Sequence, residues 1–229
     1  MKQIWSGAAA IILAGTAVTV QAEVTGNIGW DSDYIYRGVP QNDSSASFGV
    51  DWEDDDSGFY LGTWAADVGD GLEIDYYGGW AGETDDGTTY YAGYTFYDYT
   101  DDFDMEYREF NLGFGIDWFS LDVAIGEYDG DTDGDGSKDD YQNYELTGER
   151  NGFFATLGFF SDDFDGEYIK LGYGTEIAGV DVTGYYVYSN KDLVDKTFGL
   201  VDGSDSHLVV QVSKSFTFDQ VVDAFNGIK

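Results

Sequence analysis

The chain of 229 residues carries 45 acidic against 10 basic side chains, a formal net charge of −35, with 32 glycines, 19 tyrosines, one proline and no cysteine. That balance excludes nucleic-acid partners, whose phosphates need clustered Lys and Arg, and the missing thiols exclude disulfides, thiolate metal sites and cysteine nucleophiles. An aromatic share of 18% excludes a disordered chain; the acidity itself fits either an attraction for cations or plain solvation of loops.

Residues 1–22 read as an export signal. Lys2 gives a positive start, Ile4 to Val20 is apolar and small, and Val20-Gln21-Ala22 fits a small-x-small cleavage site, so the mature chain is expected to begin at Glu23. Beyond Ala22 no stretch reaches the roughly 18–20 apolar residues of a spanning helix. A mature chain that crosses a membrane must then do so as a closed barrel.

Alternation supports that reading. From Val24 to Arg37 the even positions are Val24, Gly26, Ile28, Trp30, Ser32, Tyr34 and Tyr36, mostly apolar or aromatic; the odd positions are Thr25, Asn27, Gly29, Asp31, Asp33, Ile35 and Arg37, mostly polar. Side chains alternate faces along a strand, so one face meets apolar surroundings and the other polar ones. The pattern returns along the chain: Phe48, Val50 and Trp52 against Asp51 and Glu53; Leu72, Ile74 and Tyr76 against Glu73 and Asp75; Phe110, Leu112, Phe114, Ile116 and Trp118 against Glu109, Asn111 and Asp117; Leu208, Val210 and Val212 against Gln211 and Ser213. Phe59–Asp67 and Phe153–Phe160 alternate poorly but keep a strand-like composition. Connections alternate between short ones, such as Asn151-Gly152 and Ala178-Gly179, and longer ones, such as Gly38 to Ser44 (with Pro40), Asp129 to Asp140 and Asn190 to Asp205. Short periplasmic turns, long outer loops and an even strand number define an antiparallel, up-and-down transmembrane β-barrel of about 12 strands over residues 23–218. Residues 219–229 would form a periplasmic tail; Val221, Val222 and Phe225 recur at near-helical spacing, but a helix this short is marginal alone.

The block Ser32-Asp33-Tyr34-Ile35-Tyr36-Arg37-Gly38-Val39 through Gln41 resembles the signature of the TorF family of porins, long known only as a proteobacterial protein of unknown function. Gly58-Phe59-Tyr60-Leu61-Gly62-Thr63-Trp64-Ala65 is similar to its second block and Val212-Ser213-Lys214-Ser215-Phe216 to its ending. The resemblance implies an outer-membrane barrel with a transport role; it brings no catalytic residues, no cofactor and no known substrate. It also places the terminal aromatic at Phe216 or Phe218, whereas this chain continues to Lys229.

Two constellations bear on function. Asp129-Gly130-Asp131-Thr132-Asp133-Gly134-Asp135 through Asp140 follows the spacing of a Ca²⁺ loop, in which Asp129, Asp131 and Asp133 supply side chains, Asp135 a carbonyl and Asp140 the closing carboxylate. It departs at the twelfth position, where Glu is usual, and in its flanking strands; a solvated acidic loop is the competing reading. The polar faces place Asp31, Asp33, Asp51, Glu53, Glu73, Asp75, Glu83, Glu109, Asp117, Asp122, Glu145 and Asp181 in the lumen, with Arg37 and Lys170 as the few bases. Rings of carboxylates favour cations in a pore; the competing reading is a plugged barrel in which these groups pair internally. The one histidine, His207, near Asp205 and Ser206, is a weak basis for catalysis. The expectation is a non-enzymatic outer-membrane porin for passive diffusion of small solutes, cation-preferring, in contact with outer-membrane lipid and lipopolysaccharide. The alternative is a structural or surface-binding barrel with a Ca²⁺-binding outer loop. Solute identity and oligomeric state are not encoded in any motif.

Overall fold

The computed structural model describes residues 23–218, apart from Asp102 and Asp133, together with Gln220. The expected export signal and the tail from 219 onward therefore lie outside the described residues, Gln220 excepted. Twelve strands follow in chain order: β1 (Glu23–Tyr36), β2 (Val39–Asp54), β3 (Phe59–Asp67), β4 (Leu72–Glu83), β5 (Thr89–Tyr99), β6 (Tyr107–Ile116), β7 (Phe119–Tyr128), β8 (Asp139–Arg150), β9 (Phe153–Asp162), β10 (Gly166–Ile177), β11 (Val180–Ser189) and β12 (Asp205–Thr217). Each pairs antiparallel with its neighbours, and β1 pairs with β12, so the sheet closes. Closure leaves no unpaired edge, the condition for a sheet in lipid.

The outer wall is apolar. Leu208, Phe153, Ile177, Phe59, Phe48, Leu61, Leu157 and Ile28 all point outward and are more than half exposed. In water so large an apolar surface would drive association; in hydrocarbon it is the stable arrangement. Aromatic pairs line the rim at the short turns: Trp80 with Tyr90, Trp118 with Phe119 and Phe153 with Tyr173. The Trp80 indole N–H donates to the Ser57 carbonyl at 2.6 Å, which keeps its polar edge at the turn, as interfacial girdles require.

Inside, glycines on one strand face aromatic rings on the next. Tyr91 lies over Gly113, Tyr141 over Gly126 and Tyr168 over Gly158, in each case against the space a Cβ would take. Part of the glycine and tyrosine excess thus has a common cause: rings lie along the inner wall where their neighbour has no side chain. β3 and β9 alternate poorly in sequence for a related reason. Their inward sets, Tyr60, Gly62, Trp64, Ala66 and Phe154, Thr156, Gly158, Phe160, are as apolar as the outward ones.

The end bearing the short connections also bears both termini of the barrel and is taken as periplasmic. Asn151-Gly152 and Ala178-Gly179 are two-residue turns with positive φ at both positions, the twist that suits a hairpin. Asp117 is a correction to the expected lumen set: it sits in the β6–β7 turn at φ 55° and not on a strand.

The largest correction concerns β1 and β2. The expected outer loop from Gly38 to Ser44 is strand, and Arg37-Gly38 alone makes the turn. Pairing of β1 with β12 ends at Asp31, and pairing of β2 with β3 ends at Ser47. Beyond those points the hairpin is two-stranded, with a register shift between Tyr34 and Ile35 and Ser44 at φ 64°. Its tip folds inward. Tyr34 and Tyr36, placed by alternation on the outward face, contact interior side chains, and Ile35 and Val39 are buried as well. Pro40 is tolerated in a strand because the free side of the hairpin has no ladder to break.

Candidate functional site

The inward tip is the centre of the molecule's outer half. Val39 packs among Tyr141, Phe160, Phe164, Tyr168, Leu193 and Val194. The last two come from a single helical turn, Asp192–Thr197, in the β11–β12 loop, and they have no exposed surface. Ile35 packs against Tyr185, Val187 and Val209, and Tyr34 against Ala66, Val68 and Trp64. Gly38 sits at φ 81° with its α-carbon against Tyr168; a Cβ there would stand 2.7 Å from the Tyr168 side chain, so only glycine fits. Its carbonyl accepts the Ser189 hydroxyl at 2.6 Å.

At the turn, Arg37 reaches across to Glu109 on β6 in a bidentate ion pair; Nη2 meets Oε2 at 3.0 Å and Nη1 meets Oε1. The guanidinium also lies 4.7 Å from the centre of the Tyr36 ring. Glu109 is fully buried. Three donors from the wall orient it: Tyr97 OH at 2.9 Å, Tyr141 OH at 2.7 Å and Asn111 Nδ2 at 2.9 Å. Tyr36 and Tyr97 share a hydroxyl–hydroxyl bond of 2.8 Å. Glu73 accepts Tyr34 OH at 2.5 Å. Asp75, 1% exposed, lies within electrostatic reach of Glu73, Glu109 and Arg37, and its Oδ1 has no hydrogen-bond partner among the described residues.

The other lumen candidates lie elsewhere on the inner wall. Lys170 and Glu145 pair at 3.4 Å, with the ammonium 5.4 Å from the Tyr168 ring centre. Asp31 is buried beside Ser45, its Cα partner across β1 and β2, and Asp31 Oδ1 and Ser45 Oγ have no partner among the described residues. Asp33 receives Ser32 Oγ at 2.9 Å and faces His207 Nδ1 at 3.5 Å; His207 Nε2 faces Asp205 at 3.0 Å. Ser206 alternates to the opposite face of β12, away from that imidazole. Toward the periplasmic end, Asp51 accepts Asn27 at 3.2 Å and also Tyr77, Asp122 accepts Tyr91 at 2.9 Å, and Glu53, Glu149 and Asp181 are half-buried. Both inward bases, Arg37 and Lys170, lie above this stretch and are already paired.

The acidic loop between β7 and β8 is stapled by its own donors. Asp129 takes Lys138 at 2.6 Å and Arg108 at 2.9 Å; the Lys138 hydrogen bond, followed by the Arg108 charge, holds its carboxyl below the usual range. Asp131 accepts the backbone N–H groups of Gly134, Asp135 and Gly136. Asp135 accepts Ser137, which holds its carboxyl low. Asp140 faces outward at the start of β8, and the N–H of Asp140 donates to Asp163. Asp133 lies outside the described residues. Among the described residues no three acidic or histidine side chains gather in a metal-holding group.

Sequence reasoning named Arg37 and Glu109 separately but not as a pair. Its filled-barrel alternative had the acids meeting Arg37, Lys170 and Tyr hydroxyls, but alternation put Tyr34 and Tyr36 on the outward face, because they carry the same signal as lipid-facing aromatics.

None of the curated proteins matches the chain. Among solved structures, a membrane protein from work on in-meso crystallization is 12% identical, with a TM-score of 0.54 over 86% of this chain and 84% of that one. The KdgM porin, solved in complex with disordered oligogalacturonate, is 8% identical with a TM-score of 0.48 over 86% of this chain and 99% of that one. OccK1 (OpdK) of Pseudomonas aeruginosa is 12% identical with a TM-score of 0.44, and this chain spans 59% of its length. At such identities the first likeness speaks for the fold alone, an outer-membrane-type barrel, and the other two add no weight. The family model that matches residues 15–216 carries a different description from the TorF name: the chain belongs to the bacterial proteins of unknown function designated Gcw_chp.

Proposed function

We propose that this barrel is an outer-membrane channel for small solutes that prefers cations, and that the described conformation is its closed form. One observation carries the preference. In the periplasmic half the inward charges are Glu23, Asp51, Glu53, Glu83, Asp122, Glu149, Glu176 and Asp181, with no inward Lys or Arg among the described residues. Carboxylates on a narrow low-dielectric wall concentrate cations and repel anions. The test is conductance of the mature protein in a planar bilayer under a KCl gradient. A reversal potential toward the K⁺ equilibrium value is the expected result; one toward Cl⁻ removes the preference.

A second reading has its own support: Tyr97, Phe164, Leu193, Val194 and Glu109 are buried in the outer half, the state of a permanently filled, non-transporting barrel. Under that reading the outer loops carry the function, and the Asp129–Asp140 loop would bind Ca²⁺. Calorimetry with Ca²⁺ on the wild type and on Asp131→Ala/Asp133→Ala tests the loop; identical traces leave it without a cation site.

A further inference from the structure

We infer that Glu109 and its tyrosine surround form a recognition site for small organic cations, guanidinium or primary ammonium compounds, and that Arg37 fills this site as a tethered internal ligand. The inference rests on the channel reading and names its solute class.

The site is built on the wall, not on the tip. Glu109, Asn111, Tyr97 and Tyr141 belong to β6, β5 and β8, whose ladders are regular through these positions. The three wall donors that orient the Glu109 carboxylate do not depend on Arg37. Withdrawal of the tip would therefore leave a carboxylate oriented by wall donors, with the Tyr97 and Tyr141 rings beside it. Such a site suits a planar cation, since a guanidinium offers two parallel N–H donors to a carboxylate and stacks on aromatic faces. Arg37 already makes the paired contact with the carboxylate; the ring it lies against is Tyr36 of the tip itself, so an incoming cation would have the wall rings of Tyr97 and Tyr141 in its place.

Charge points the same way. Among the described residues, Glu73, Asp75 and Glu109 share the chamber with one guanidinium, that of Arg37, and Asp75 Oδ1 is buried without a partner. Docking of Arg37 thus leaves Asp75 Oδ1 as an unused acceptor near the site. An incoming donor cation has that acceptor to meet before it displaces Arg37.

The tip is also separable from the wall. It leaves the ladders at Asp31 and Ser47, and the register shift and Ser44 in the left-handed region lie between those points and the turn. Beyond its apolar contacts, the bonds holding it all involve a side chain, among them Arg37 to Glu109, Tyr36 to Tyr97, Tyr34 to Glu73, Ser189 to the Gly38 carbonyl, Asn42 to Asp67, the Val210 N–H to Ser32 and the His207–Asp33 contact.

The experiment is binding of guanidinium chloride and agmatine to the purified mature barrel in detergent, followed by calorimetry, with glutamate and glucose as controls. Arg37→Ala removes the internal competitor, so its apparent affinity for agmatine is expected to rise about tenfold or more over wild type. Arg37→Ala/Glu109→Gln is expected to lose that binding. Heat-modifiable gel mobility confirms that each variant is a folded barrel, and wild type with increasing agmatine provides a measurement that needs no variant. Failure of folded Arg37→Ala to bind agmatine, or equal binding by the double variant, overturns the inference. If binding follows this pattern but no form conducts in bilayers, the recognition site stands and the channel reading falls. If the variants conduct but no cation binds, the reverse holds.

Discussion

The two halves of the barrel interior are built from the same strands but solve different problems. In the outer half, rings and aliphatic side chains from β8 to β11 close on the β1–β2 tip, and two buried carboxylates there have oriented partners, Glu109 with Arg37 and three wall donors and Glu73 with Tyr34, while Asp75 keeps an oxygen without a partner among the described residues. In the periplasmic half the inward acids are half-buried, and their partners are neutral: Asp51 accepts Tyr77 and Asn27, and Asp122 accepts Tyr91. The contrast shows that one closed sheet can be a packed core over one stretch and a charged vestibule over the next, depending on whether a hairpin folds into it.

The contrast can be broken at its strongest point first. Glu109→Ala strands a buried guanidinium and should cost about 3–5 kcal/mol, read as a lower urea midpoint for unfolding from lipid vesicles. Phe164→Ala empties part of the apolar cluster under the tip and should cost a similar or slightly smaller amount, about 3–5 kcal/mol, in the same assay. On the outer wall, Leu157→Arg should cost about 2–4 kcal/mol where lipid surrounds it; no loss would place that face in water. In the vestibule, Asp51→Asn/Glu53→Gln/Asp122→Asn should leave stability almost unchanged and lower the cation-to-anion permeability ratio severalfold, an effect that shrinks at high salt. The smallest effect belongs to the outer loop. Asp129 is held below the usual carboxylate range, so its contribution is present above that range and is lost as pH falls through its lowered value. Being solvent-screened, it should register only as faster proteolysis of the loop in strong acid.

Where the sequence could be read, two different solvents faced one strand. Phe110, Leu112 and Phe114 against Glu109 and Asn111 give a period of two because lipid lies on one side and the lumen on the other. The tip loses that contrast. Once Tyr34, Ile35, Tyr36 and Val39 fold into the barrel, protein surrounds both faces, and alternation has nothing to report. β3 and β9 fade for a milder reason, since their inward residues are rings and glycines. The Arg37–Glu109 pair spans 72 positions, and nothing local links a base in one turn to an acid five strands on. Only closure of the sheet and inward folding of the hairpin bring them together.

Single-channel recording of wild type, Arg37→Glu and Arg37→Glu/Glu109→Arg tests most directly whether the ion pair holds the tip across the lumen. Closure by that pair requires rare openings in wild type, a mostly open single variant driven by carboxylate facing carboxylate, and a return toward the closed level in the charge-swapped double variant. Equal conductance from all three folded proteins would mean that Arg37 and Glu109 do not control passage.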